Sequence, residues 1–149
     1  MPIREIRGES SLPTPAPVAI IRPSGAEPWV LSAGFNGVGG LYGTPSPDHL
    51  CVVALPDRVV WVEARTGNHI DLGLTPVRVA GNVDHGLLLI GDWHGITAIG
   101  ADGIRWESAI PEVEDLHITR SDGDRIYYRG MTWNGTEVLG SVDSATGDQ

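Results

Sequence analysis

Residues 86–103 read Gly-Leu-Leu-Leu-Ile-Gly-Asp-Trp-His-Gly-Ile-Thr-Ala-Ile-Gly-Ala-Asp-Gly. Two apolar runs, 86–92 and 95–100, are separated only by the pair Trp93-His94, and this spacing is typical of a β-hairpin. The Asp-Gly pair at 102–103 then closes the second run. The stretch therefore predicts two paired strands followed by another tight turn.

Two other segments end in the same way. Residues 62–67 read Val-Glu-Ala-Arg-Thr-Gly, and residues 142–147 read Val-Asp-Ser-Ala-Thr-Gly. The closing glycines, Gly67, Gly103 and Gly147, are 36 and 44 residues apart. A period in this range is typical of stacked supersecondary units, so we predict that the chain repeats one small β-structure.

Short apolar or alternating runs, bounded by Gly, Pro, Asn and Asp, continue through most of the chain. No segment of useful length has the 3.6-residue apolar period of a helix. The Asn134-Gly135 dipeptide is strongly favoured in type I′ turns and predicts a hairpin near the C-terminus. We therefore predict an all-β fold with strands at 18–21, 29–31, 49–55, 58–64, 69–72, 76–80, 86–92, 95–100, 104–108, 116–120, 125–131 and 136–142.

The middle unit resembles a blade of the quinoprotein-type β-propeller. The similarity lies in Leu87–Asp92, Gly95–Ile99 and Ala101–Trp106, which together give a hairpin, a small-Asp-Gly turn and a tryptophan soon after it. In that family the tryptophan packs between neighbouring blades, so the resemblance implies this position for Trp106. Extended over residues 48–149, it implies an antiparallel meander of about three propeller-like blades. It implies no cofactor, because no residue of this sequence matches the family's quinone-binding positions.

The number of predicted strands is too small for the blades to close into a standard propeller ring. Three blades are fewer than the four to eight of a standard ring, and the last unit has only three predicted strands. Because an unpaired edge invites aggregation, we expect a fourth strand there, either Ile3–Ile6 or Val18–Ile21 of this chain or a strand of a second copy. The expected fold is a partial or dimer-completed β-propeller. Its domains are a proline-rich extended arm, residues 1–17, and a single all-β propeller-like domain, residues 18–149.

The chain is acidic, with a formal net charge of −9. This charge argues against nucleic acid or an anionic membrane as a partner. The sequence contains neither a signal-peptide pattern nor an apolar run of membrane-spanning length, so we predict a cytoplasmic protein. Acidic residues are dense at Glu112, Glu114 and Asp115. They either keep the protein soluble or form a docking surface for a basic partner.

Three other segments are candidate binding sites. Asp92, Trp93 and His94 lie at a predicted hairpin tip, where Trp93 either contacts a ligand or covers a neighbouring strand. The glycine-rich loop 34–47 matches neither the dinucleotide fingerprint nor the Walker pattern, and we predict a mobile loop or a bulged strand there. Trp133 precedes a predicted turn and is a candidate interface residue.

The residues favour binding over catalysis. No nucleophile elbow, paired Cys/His set or distinctive carboxylate pair is present, so we predict no catalytic residue, no metal and no cofactor. The leading hypothesis is a non-catalytic binding or protein-interaction module with an acidic surface. A specific version is an antitoxin-like or immunity protein that covers a basic effector, and a homodimer is also predicted. The alternative is a small-ligand-binding protein or an enzyme, with its site on loop 34–47 or at the 92–94 tip.

Overall fold

The computed structural model describes residues 1–6, 18–33, 40–54, 58–74, 76–83, 86–92 and 95–149. The predicted all-β class is confirmed, because these residues form strands and turns and contain no helix. The chain divides into two compact units, unit 1 (Met1–Pro76) and unit 2 (Val77–Gln149).

Unit 1 contains two sheets. Its described strands are β1 (Ile3–Ile6), β2 (Val18–Ile21), β3 (Trp29–Ala33), β4 (Gly40–Gly43), β5 (His49–Ala54), β6 (Arg58–Glu63) and β7 (His69–Asp71). Sheet 1 has the order β1-β3-β2, and sheet 2 has the order β4-β5-β6-β7. The β1–β3 pairing is parallel, and the other pairings of this unit are antiparallel.

Unit 2 also contains two sheets, and β8 begins on the last residue of unit 1. The described strands are β8 (Pro76–Val83), β9 (Leu87–Asp92), β10 (Gly95–Gly100), β11 (Gly103–Ala109), β12 (Val113–Asp122), β13 (Arg125–Thr132) and β14 (Glu137–Asp143). Sheet 3 is the meander β8-β9-β10-β11, which confirms the four-strand order predicted for the middle unit. Sheet 4 has the order β12-β13-β14.

The core of each unit lies between its two sheets. Alternating strand residues turn one apolar face of each sheet toward the other, and burying these faces is the main stabilising term. The unit 1 core consists of Ile21, Trp29, Leu31, Val60 and Val62. The unit 2 core consists of Leu87, Leu89, Ile96, Ala98, Trp106, Ile110, Val113, Leu116, Ile126, Tyr128 and Val142.

One tryptophan joins the two sheets of each unit. Trp106, on β11, is 7% exposed, and its Nε1 donates to the Ser144 carbonyl beyond β14 at 2.9 Å. Its ring lies against Gly147, where a Cβ atom would come within 2.6 Å of the ring. Trp106 therefore packs between the two sheets of unit 2. Trp29, on β3, has the same role in unit 1 and donates to the Ala64 carbonyl of sheet 2 at 2.7 Å. Sequence analysis did not identify this second contact.

Both tryptophans bond to the same kind of turn. In residues 63–67 and 143–147, the closing glycine amide donates to the carbonyl of the first, acidic residue, at 2.9 and 2.8 Å. In both turns the threonine hydroxyl donates to the carboxylate of that residue. Gly67 and Gly147 have φ angles of 72° and 77°, a region that favours glycine. These two segments therefore form the same type of turn.

The third glycine-closed segment differs from the other two. Gly103 pairs with Gly100 across a two-residue turn between β10 and β11, and no threonine takes part. The Thr-Gly turns instead follow β6 and β14, each the third strand of its sheet. The three segments are therefore two copies of one turn and one shorter connection.

Two further predictions need correction or refinement. Ile3–Ile6 and Val18–Ile21, expected to complete the last unit, instead flank β3 in sheet 1. Ile21 of β2 is buried there in the unit 1 core, beside Trp29 and Leu31 of β3. Part of loop 34–47 is the regular strand β4, which pairs with β5 without a bulge. Neither a closed barrel nor a propeller is defined by the described residues. The domain boundary between residues 17 and 18 remains a prediction.

Candidate functional site

The acidic segment lies at the start of sheet 4 and is held by buried apolar residues. Ile110, Val113 and Leu116 are buried in the unit 2 core, and the residues between them point outward. Glu112, Glu114 and Asp115 are therefore all exposed. We name residues 112–115 the acidic segment. It presents carboxylates to solvent on an apolar base that fixes their position.

The backbone of the acidic segment is unusual. Glu112 and Asp115 have φ angles of 65° and 47°, in the left-handed region that residues other than glycine seldom adopt. The register of β12 against β13 also shifts between Glu114 and His117, which marks a bulge. The Asp115 carboxylate lies 3.1 Å from Nε2 of His117, which holds it in place. These features turn successive carboxylates outward, which a regular strand could not do.

The structure brings Trp133 beside the acidic segment. Val113, the residue after Glu112, pairs with Thr132, the residue before Trp133. Both features therefore occupy the same end of sheet 4, although they are about twenty residues apart in the sequence. Trp133 is 80% exposed, which is high for a large aromatic side chain. We name Trp133 together with the acidic segment the acidic corner.

The turn that carries Trp133 differs from the predicted type I′ turn. Gly135 donates its amide to the Thr132 carbonyl at 2.9 Å, and Thr132 donates its own amide to the Thr136 carbonyl at 2.8 Å. Gly135 has a φ angle of 84°, whereas Asn134 has no positive φ. These are the features of a three-residue hairpin loop, in which a type I turn is followed by a left-handed glycine. The loop places Trp133 at its first position, away from the core.

The predicted 92–94 tip is described only in part. The Asp92 carboxylate accepts the Gly95 amide at 2.8 Å, so this residue closes the β9–β10 turn. Trp93 and His94 lie outside the described residues. Asp92 belongs to sheet 3, and it is not part of the acidic corner.

The second predicted ligand site, loop 34–47, is also described in part. Residues 34–39 lie outside the described residues, and Gly40–Gly43 form β4. Beyond β4, the Ser46 hydroxyl lies 2.8 Å from Nδ1 of His49, and the His49 ring stacks on Trp61 at 4.7 Å between ring centres. No pattern in the sequence predicted this cluster, in which Trp61 is buried. Ser46 is buried, so the cluster fixes the entry into β5.

Among the described side chains, no group of three His, Cys, Asp or Glu residues is placed to hold a metal ion. The described residues include no helix with the length and apolarity needed to span a membrane.

Comparison with known protein families and with curated proteins found no match for this sequence. Within the described residues, the acidic corner joins four of those predicted as binding residues, namely Glu112, Glu114, Asp115 and Trp133.

Proposed function

We propose that this protein is a non-catalytic protein-interaction module, built of propeller-like blades, whose acidic corner binds a basic partner protein. The blade-like description is supported by the two four-stranded meanders, sheets 2 and 3, and by the two tryptophans that dock on equivalent turns. In the specific version, the chain is an immunity-like or antitoxin-like protein that covers a basic effector.

The observation that carries this proposal is the adjacency of Trp133 to the acidic segment. Tryptophan is the residue type most enriched among interface hot spots, because it buries a large area at a small entropic cost. Carboxylates around such an anchor steer a basic partner and select its orientation. Exposing an indole this fully has no benefit for the isolated chain, since it makes no contribution to the core.

A photo-cross-linking experiment tests the proposal first. A photoreactive amino acid at position 114 is expected to capture a partner protein in cells, and the same residue at position 70 is the matched control. Ile70 is also exposed on an outer strand, but it lies in sheet 2. Capture of the same proteins at both positions would count against the acidic corner as a specific surface.

Binding of the captured partner is then measured with purified proteins. Trp133→Ala is expected to weaken it by at least about 2 kcal/mol, or roughly thirtyfold in Kd. Glu114→Lys is expected to weaken binding on the order of tenfold, mainly through slower association. Glu27→Lys, the same charge change at an exposed residue of unit 1, is the control and should have little effect. A Kd that is the same in low and high salt would contradict the electrostatic part of the proposal.

A further inference from the structure

Among the described strands, β14 has an open outer edge. β14 pairs with β13 on one side, and no described strand pairs with it on the other. Sheet 2 shows what such an edge accepts in this protein: after the same Thr-Gly turn, β7 lies antiparallel beside β6, with His69 opposite Val62. The β14 edge is therefore of a kind that binds an antiparallel strand.

The backbone groups available at this edge can be identified. The Asp143 amide donates to the Asp148 carbonyl at 2.7 Å, so it points away from β13. Backbone groups of alternate residues in an antiparallel strand point to the same side. Ser141, Leu139 and Glu137 therefore direct their amides and carbonyls toward the open edge, whereas the edge amide of Asp143 is already bonded.

The side chains of these three residues are complementary to one another. Leu139 is 73% exposed, although it is a large apolar residue in a regular strand. The Arg125 guanidinium reaches across β14 and donates to the Ser141 hydroxyl at 2.8 Å and to the Ser141 carbonyl at 2.9 Å. A positive group therefore lies on one side of Leu139, and the Glu137 carboxylate lies two residues away on the other.

We propose that two copies of this chain associate by pairing their β14 edges antiparallel about a twofold axis, with Leu139 opposite the second copy's Leu139. In this register Glu137 lies opposite the second copy's Ser141, beside the guanidinium of the second copy's Arg125. All three residues with available backbone groups then form hydrogen-bonded pairs. The Ser141 carbonyl can accept a second hydrogen bond, because a carbonyl oxygen has two lone pairs.

The neighbouring register is less favourable. Pairing centred on Gly140 would place Glu137 opposite the second copy's Asp143, where like charges repel and the Asp143 amide is already used. The twofold arrangement covers the same edge in both copies, so the association stops at two chains. The homodimer predicted from the sequence thereby gains a defined interface, which does not depend on the acidic corner.

Sedimentation velocity of the full chain is the first test. We expect a concentration-dependent species of twice the 15.9 kDa chain mass. Leu139→Lys, which places two ammonium groups opposite each other, should give a monomer with an unchanged circular dichroism spectrum. Ile70→Lys is the matched control, because Ile70 is 61% exposed on the outer strand of sheet 2, and it should leave the dimer intact. A full chain that is monomeric at every concentration, or a dimer that persists in Leu139→Lys, would overturn the proposal.

A cysteine variant tests the register. Opposite residues in a hydrogen-bonded antiparallel pair have Cα atoms about 5.5 Å apart, which suits a disulfide. In a Cys51→Ala background, Leu139→Cys is therefore expected to form a covalent dimer on mild oxidation, and Ile70→Cys is expected to remain monomeric. Equal cross-linking of the two variants, or none in Leu139→Cys, would exclude the proposed pairing.

Discussion

The substitution Trp106→Phe tests how strongly the docked tryptophan holds unit 2 together. It keeps an aromatic ring in the core but removes the indole N–H that bonds to the Ser144 carbonyl. Ser144 is buried, so water cannot easily replace the lost donor. A buried acceptor left unsatisfied costs about 1–3 kcal/mol. The smaller ring also leaves a void over Gly147. The free energy of unfolding is therefore expected to fall by about 2 kcal/mol or more.

Urea unfolding followed by far-ultraviolet circular dichroism measures this loss, and thermal unfolding should show a fall in Tm of at least about 4 °C. Trp133→Phe is the control, because Trp133 is exposed, and it should change the free energy of unfolding by less than about 0.5 kcal/mol. Trp29→Phe removes the equivalent bond to Ala64 in unit 1 and is expected to cost less than Trp106→Phe, because Ala64 is only half-buried and water can reach its carbonyl.

Trp106→Ala separates packing from hydrogen bonding. Removing the whole ring from a core costs about 3–5 kcal/mol. Suppose that Trp106→Ala shows that loss, whereas the free energy of unfolding of Trp106→Phe stays within about 0.5 kcal/mol of that of the unchanged protein. The indole N–H then makes no net contribution to the free energy of unfolding. The Thr-Gly turn would then not anchor Trp106 through this hydrogen bond. Only the packing of the ring would stabilise the contact between the two sheets.

Two other predictions concern the Thr-Gly turn after β14, and a third concerns the ligand-binding alternative. Gly147→Ala should destabilise more than Gly123→Ala, because both have positive φ but only Gly147 lies against Trp106; paired urea titrations measure the difference. The backbone amides of Ala145, first, and Thr146 donate to the Asp143 carboxylate and lower the pKa of this carboxyl group. The carboxylate therefore stabilises the fold above its unfolded-state pKa of about 3.9, and this contribution is lost as the pH falls through the lower folded-state pKa. The destabilisation by Asp143→Asn should accordingly shrink from neutral to strongly acidic pH. In a thermal-shift screen of metals, nucleotides and sugars we expect no stabilisation, and a shift that His94→Ala abolishes would favour the ligand-binding alternative.

The strands were predictable because their signals are local. The apolar runs 86–92 and 95–100 are bounded by turn residues, and the structure places β9 and β10 there within one residue at each end. The strands predicted at 49–55 and 58–64 are likewise found as β5 and β6, which pair antiparallel. In each case a few neighbouring residues determine both the strand and its partner. The local sequence is therefore sufficient to predict the two strands and their pairing.

The contacts that join the sheets could not be predicted equally well. Trp29 bonds to Ala64, 35 residues later, and nothing in the neighbourhood of either residue indicates the other. The left-handed backbone at Glu112 and Asp115 was also unpredictable, since glycine or asparagine is the usual signal for that conformation. Tertiary packing of the residues between them overrides this local preference.

Glu114 of the acidic segment and the β14 edge lie on opposite sides of β13, whereas Trp133 lies in the β13–β14 loop. The separation of Glu114 from the β14 edge determines whether its charge affects the proposed dimer. Glu114 pairs with Met131, and Met131 pairs with Glu137, so the three residues form one row across sheet 4. Neighbouring strands are about 4.8 Å apart, which puts β12 and β14 about 10 Å apart along this row. That distance exceeds the Debye length of about 8 Å at physiological ionic strength.

We therefore expect the two surfaces to act independently. Glu114→Lys should weaken binding to the basic partner without changing the dimer, and Leu139→Lys should abolish the dimer without changing partner binding. Sedimentation and partner binding are measured on both variants at physiological salt. If each substitution impaired both associations, the row through Met131 would form one continuous interface, and the division of sheet 4 into two separate surfaces would be wrong. At low ionic strength the screening length is longer, and a weak effect of Glu114→Lys on the dimer is then expected from the same geometry.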